Sequence, residues 1–121
     1  MGDKKLLLML NDQETKALEL IFNGTLPIEV EMRRRIQCLK IIVREATGVG
    51  FYTTMRLTPP LDTLPDVLVK DITFNHPSFR YGGKFMCWFI SNREIELEAV
   101  TLGGSILWPS AIDFDLLEVQ I

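Results

Sequence analysis

The chain has 121 residues, 47% of them hydrophobic and 24% charged, with a formal net charge of −3. These values exclude extended disorder and a collagen-like chain, and they suit one domain with a core of its own. A weakly acidic balance argues against charge-driven binding to nucleic acid or to an anionic membrane surface.

Asn11-Asp12-Gln13-Glu14 predicts a helix start. Asn11 can cap the free backbone N–H groups, and Glu14 at the third helical position can reach back to it. Leu18, Ile21 and Phe22 share one face, and Gly24 is placed to end the helix as a left-handed cap, which gives a helix over 12–23. Pro27 opens a second helix over about 27–37, with Glu29–Arg33 and Glu31–Arg35 spaced as i, i+4 ion pairs. Ile41, Ile42 and Val43 are β-branched and predict a strand over 39–46. A second helix prolonged to Ala46 is the alternative.

Gly48-Val49-Gly50 reads as a turn and 51–57 as the next strand, stopped by Pro59-Pro60. A loop over 58–66 leads to a strand over 67–74. Asn75 to Gly83 reads as a long turn. Residues 85–90 are apolar on both faces, as in a central strand, and a hairpin tip at Ser91–Arg93 follows. Glu94 to Ala99 alternates strictly. Gly103-Gly104 breaks that strand, Trp108-Pro109 falls in a loop, and 114–119 is a last strand. The expected fold is a single α+β domain over 1–121, with two N-terminal helices packed on a mostly antiparallel sheet of about five strands.

Cys38 and Cys87 are too few and too far apart for a disulfide framework or a multi-cysteine metal site, so two half-buried free thiols in a reducing cytoplasm are expected. One histidine with scattered carboxylates lacks metal-ligand spacing, and neither metal nor cofactor is expected. Lys4-Lys5 before the apolar run Leu6 to Leu10 hints at a signal peptide. That run is shorter than the roughly 7–15 residues of such a segment, and far shorter than the roughly 18 that cross a bilayer. Leu6 also breaks the myristoylation pattern that Met1-Gly2 suggests.

The remaining motifs weigh toward bland readings. Arg33-Arg34-Arg35 is the one basic run, offset by Glu29 and Glu31, and reads as a solvated helix face. Gly48-Val49-Gly50 resembles the start of a dinucleotide fingerprint, but Thr53 stands where a third glycine is needed and a strand follows. His76 with Cys87 or Cys38 would make a thiol–imidazole pair, yet no nucleophile signature surrounds either cysteine. Burial of Cys87 in an apolar strand would keep it inert. No catalytic residue is assigned. The segment Asn75 to Lys84 is the best candidate binding loop, through His76, Arg80, Tyr81 and Lys84. Glu96 and Glu98, with Glu94, lie on one strand face and could line a site, although a solvated strand face explains them more simply. An even-length hairpin loop sets Phe85, Cys87 and Phe89 beside the glutamates, and an odd one sets Met86 and Trp88 there. In either register, large apolar groups beside glutamates call for cover by a helix, a second subunit or a partner.

Two blocks carry a resemblance. Arg44 to Thr53 (R-E-A-T-G-V-G-F-Y-T), together with Leu97-Glu98, Gly103-Gly104 and Trp108-Pro109, resembles a family of small bacterial proteins of unassigned function. Ala99 stands where those proteins carry glycine. The resemblance implies a soluble bacterial α+β domain and carries over no functional residue.

The expected function is a non-enzymatic, cytoplasmic protein-interaction module, immunity- or inhibitor-like by class analogy. Its partner would be another protein or a second copy in a homodimer, with no nucleic acid and no membrane. The alternative is a small-molecule-binding domain or minor enzyme with a pocket between helices and sheet, anchored by Arg80, Tyr81 or Glu98.

Overall fold

The structure, a computed structural model, describes residues 9–66 and 69–120. Met1-Gly2, most of the suspected leader and the Val67-Leu68 start of an expected strand lie outside the described residues.

Helix α1 (Asp12–Ile21) begins with the capping box that the sequence suggests. The Asn11 side chain accepts from the Glu14 N–H, and the Glu14 carboxylate accepts from the Asn11 N–H, both at 2.9 Å. The helix ends two residues earlier than expected, with Phe22 at its C-cap. Gly24 is not a left-handed cap, since positive φ among glycines occurs at Gly48, Gly82, Gly103 and Gly104. Its N–H instead donates to the Glu29 carboxylate at 3.0 Å. Helix α2 (Pro27–Arg35) is also shorter than expected and tightens into a 3₁₀ turn over Ile36–Cys38.

Of the two anticipated ion pairs on α2, Glu31–Arg35 forms at 2.6 Å. Glu29–Arg33 does not. Glu29 is buried and bonds Lys70, while Arg33 donates to the carbonyl oxygens of Phe22 and Gly24.

Six strands follow: β1 (Lys40–Ala46), β2 (Gly50–Arg56), β3 (Val69–His76), β4 (Phe79–Phe89), β5 (Glu94–Thr101) and β6 (Glu118–Val119). They form one antiparallel sheet in the order β1-β2-β5-β4-β3-β6. The strand reading of 39–46 therefore holds over the helical alternative. The expected long turn from Asn75 to Gly83 is instead a tight hairpin with Pro77-Ser78 at its tip. The glycines that suggest a loop serve close packing: Gly83 lies opposite Phe74, and a Cβ there would collide with that ring. The expected last strand over 114–119 is a 3₁₀ turn at Phe114–Leu116 followed by the two residues of β6.

The helices cover one face of the sheet. Ala17, Leu18, Ile21 and Phe22 pack with Met32 and Ile36 over Met55, Phe89, Ile95 and Leu97. Beyond the helices, the loop that carries Trp108 and Phe114 covers the other end of the same face. There Phe74 stacks on Phe85 with centroids 4.9 Å apart, and Trp108 stands edge-on to Phe51, Phe79 and Phe85 at 5.0–5.9 Å. None of the described helices is long and apolar enough to cross a membrane.

Candidate functional site

The residues picked from Asn75 to Lys84 do not converge. His76 is buried on the helix-covered face; its Nδ1 accepts from the Ser78 N–H at 3.0 Å and its Nε2 donates to the Asp113 carbonyl at 2.8 Å. Both ring nitrogens are thus used to pin the C-terminal loop onto the hairpin. Arg80 lies over the Tyr81 ring, 5.3 Å from its centroid, and Tyr81 in turn covers Gly103. Lys84 pairs with Asp71 at 3.1 Å. The two cysteines are not both half-buried: Cys38 is exposed and Cys87 is enclosed in the core, where burial drives the thiol well above its ordinary pKa and keeps it unreactive.

Lys84 does join Glu96 and Glu98 on the second face of the sheet. The β4–β5 ladder pairs Met86 with Glu98 and Trp88 with Glu96, the odd-loop register. The β2–β5 ladder sets Tyr52 opposite Glu98, Thr54 opposite Glu96 and Arg56 opposite Glu94. No described helix or strand packs on this face, because both helices lie on the other side.

Tyr52, Met86, Trp88, Glu96, Glu98 and Val100 all remain partly accessible, and Val69 and Val43 are more exposed still. Charge on the face is lopsided. Arg56 sits opposite Glu94, and Lys84 satisfies Asp71. Glu45, Glu96 and Glu98 have no cation at ion-pair distance among the described residues; Glu96 accepts from the Thr54 hydroxyl at 3.0 Å and Glu45 from the Tyr52 hydroxyl.

On the covered side, each helix is fixed by a buried glutamate at its third position. Glu14, fully buried, accepts from Arg44 Nε at 2.7 Å, from Arg44 Nη2 at 2.6 Å and from the Thr53 hydroxyl at 2.6 Å. That bonding holds the Arg44 guanidinium above its ordinary pKa. Glu29 meets Lys70 Nζ at 2.5 Å and also accepts from the Leu26 and Gly24 N–H groups. The Lys70 bond, ahead of the two backbone bonds, holds Glu29 below the usual carboxylate range against the opposing effect of burial.

A groove of about 1080 Å³ opens beside the first clamp, between the start of α1, the β1–β2 turn and the Trp108–Asp115 loop. Residues of α1 and of β1 and β2 both line it, but Arg80, Tyr81 and Glu98 do not. Its central polar groups already serve each other. Gln13 accepts from the Trp108 indole N–H at 2.9 Å and donates to the Ser110 carbonyl. Among the described residues, no buried side-chain polar atom lacks a partner and no group of three His, Cys, Asp or Glu side chains is placed to hold a metal ion.

Three features escape sequence reasoning. The Arg44 and Lys70 ends of the clamps lie 30 and 41 residues from their glutamates, with no local pattern to reveal them. Tyr52 joins the glutamates because β5 inserts beside β2, a long-range pairing. Trp108 reads as a loop residue, and only its size hints that it caps a core. Comparison with protein-family models, with curated proteins and with solved structures finds no match to this chain.

Proposed function

We propose that the chain is a non-enzymatic protein-interaction module that grips a basic patch of another protein with the uncovered face of its sheet. One observation carries this reading: Tyr52, Met86 and Trp88 stay partly accessible beside Glu96 and Glu98, which have no cation at ion-pair distance among the described residues. Large amphipathic side chains supply contact area at low entropic cost, and an acidic centre selects a partner that brings lysine or arginine to it. A twofold contact centred on Glu96 and Glu98 would set like charges against one another, so a basic partner suits that centre better than a second copy. The size and acidity fit the class of small immunity or inhibitor proteins, an analogy of class alone. The groove beside α1 supports a small-molecule reading less well, because Gln13 and Trp108 in it already bond each other.

The test is selection of a random-peptide display library on the wild-type chain and on Glu96→Arg/Glu98→Arg. The wild type should enrich peptides that place Arg or Lys beside an apolar residue, and the double variant should not. Amide shifts induced by a selected peptide should fall on β2, β4 and β5. Enrichment indifferent to the charge reversal, or shifts confined to the groove, would overturn the reading.

A further inference from the structure

Strand β1 is the outermost strand of the sheet, and its outer edge has no partner among the described residues. At its middle Ile42 and Val43 are 40% and 43% exposed. The β1–β2 register shifts between Ile41 and Val43, so a β-bulge sits there. A bulge normally spoils edge pairing, because the incoming strand is regular and its side chains fall on the wrong faces beyond the irregularity. One strand does not have that problem: a second β1 carrying the same bulge.

We propose that two copies of the chain pair antiparallel through β1, about a twofold axis at the bulge, with Ile41 opposite Arg44, Lys40 opposite Glu45 and Ile42 opposite Val43. Three independent features select this register. The first is the hydrogen-bond phase. The Thr47 N–H donates to the Gly50 carbonyl, so alternation along the hairpin turns the backbone groups of Arg44 outward. On the far side of the bulge, Ile41 lies opposite Met55, which shares the β5-facing phase of Leu57, whose N–H donates to the Arg93 carbonyl. Ile41 is therefore also turned outward, and the two outward-facing residues meet.

The second feature is side-chain direction. Ile41 and Arg44 both lie on the helix-covered face, and Lys40 and Glu45 both lie on the open one. Without the bulge, residues an odd number of positions apart would point to opposite faces, and this register would be forbidden. With it, Ile41 shares a face with Arg44, and Lys40 with Glu45. Shifting the pairing by one residue either way destroys that match at both ends.

The third feature is chemistry. The register puts an ammonium across from a carboxylate at each end and branched apolar side chains at the axis, the pairings that favour antiparallel neighbours. The opposite edge is less available, since β6 pairs with Phe74 and Asn75 and the Gln120 N–H bonds the Thr73 carbonyl. Because the axis runs perpendicular to the sheet, both uncovered faces lie on one side of the resulting dimer and stay free.

The experiment is sedimentation equilibrium on the wild type, Lys40→Glu, Glu45→Lys and the Lys40→Glu/Glu45→Lys double variant. The wild type should show a concentration-dependent dimer. Each single reversal should weaken it by about tenfold or more, and the double should recover it to within a few-fold, as an opposed charge pair requires. In a Cys38→Ser background, Lys40→Cys with Glu45→Cys should give a covalent dimer on mild oxidation, and Lys40→Cys alone should not. A wild type that stays monomeric at high concentration overturns the proposal. So does a dimer insensitive to both single reversals, or a double-cysteine variant that fails to cross-link. The dimer should persist in Glu96→Arg/Glu98→Arg, which changes nothing on β1, and this keeps the test separate from that of the proposed function.

Discussion

The two faces of this sheet are built from the same strands at alternate positions, and they have different fates. On β5, Ile95, Leu97, Ala99 and Thr101 are buried, while Glu94, Glu96, Glu98 and Val100 stay partly accessible. On β4 both sets are apolar, yet Phe85, Cys87 and Phe89 are buried and Met86 and Trp88 are not. Hydrophobicity alone does not assign a side chain to a core. On the covered face the helices pack on an apolar core, and Arg44 and Lys70 add bonds to the buried glutamates that open them. The open face has no such anchor. Its apolar residues form a surface to be used rather than a core to be hidden.

Substitutions should separate the two faces sharply. The largest effect is expected at the first clamp. Glu14→Ala removes the acceptor shared by the Asn11 N–H, the buried Thr53 hydroxyl and the partly exposed Arg44 guanidinium and should cost about 3–5 kcal/mol in denaturant unfolding, the scale of several lost bonds to a carboxylate. A loss under 1 kcal/mol would mean that water replaces the carboxylate and the clamp is not structural.

Next comes a matched pair of truncations on β4. Phe85→Ala should cost about 3–5 kcal/mol by opening a cavity under Trp108, whereas Trp88→Ala should cost roughly 1 kcal/mol yet abolish peptide binding. Equal losses of stability would erase the distinction between the faces.

The smallest effect concerns acid. Glu29 is held below its ordinary value of 4.5, so its contribution is complete above that pH and is lost as pH falls through the lowered value. Glu29→Gln should therefore be less stable than the wild type at neutral pH, and the gap should narrow below about pH 4. An unchanged gap across that range would contradict the assignment.

Much of the fold is legible in the sequence because it rests on local signals. Asn11 with Glu14, Pro27, and the alternation of Glu94 to Ala99 each place an element within a few residues. The misreadings cluster where glycine and proline serve packing rather than loops. Gly82 and Gly83 sit inside β4 because Phe74 needs the space, and Pro77 fits in a two-residue tip. The candidate site is half legible. Glu96 and Glu98 announce themselves by period, and Met86 and Trp88 follow once an odd loop is chosen. Tyr52 and the two clamps depend on which strands become neighbours, and no local pattern encodes that.

The strand order has a consequence for synthesis on the ribosome. β5 lies at the centre of the sheet, between β2 and β4, although it follows both in the chain. A nascent chain that has emerged as far as β4 holds two hairpins, β1–β2 and β3–β4, with no strand in common. No strand joins them until residues 94–101 appear, and the aromatic end of the core stays uncapped until Trp108 and Phe114 follow. At about 5–20 residues per second, the β1–β2 hairpin waits roughly 2–9 s for the central strand, and the β3–β4 hairpin roughly 1–2 s. In that interval the bulge in β1 disfavours pairing with a regular strand, such as an outer edge of the other hairpin.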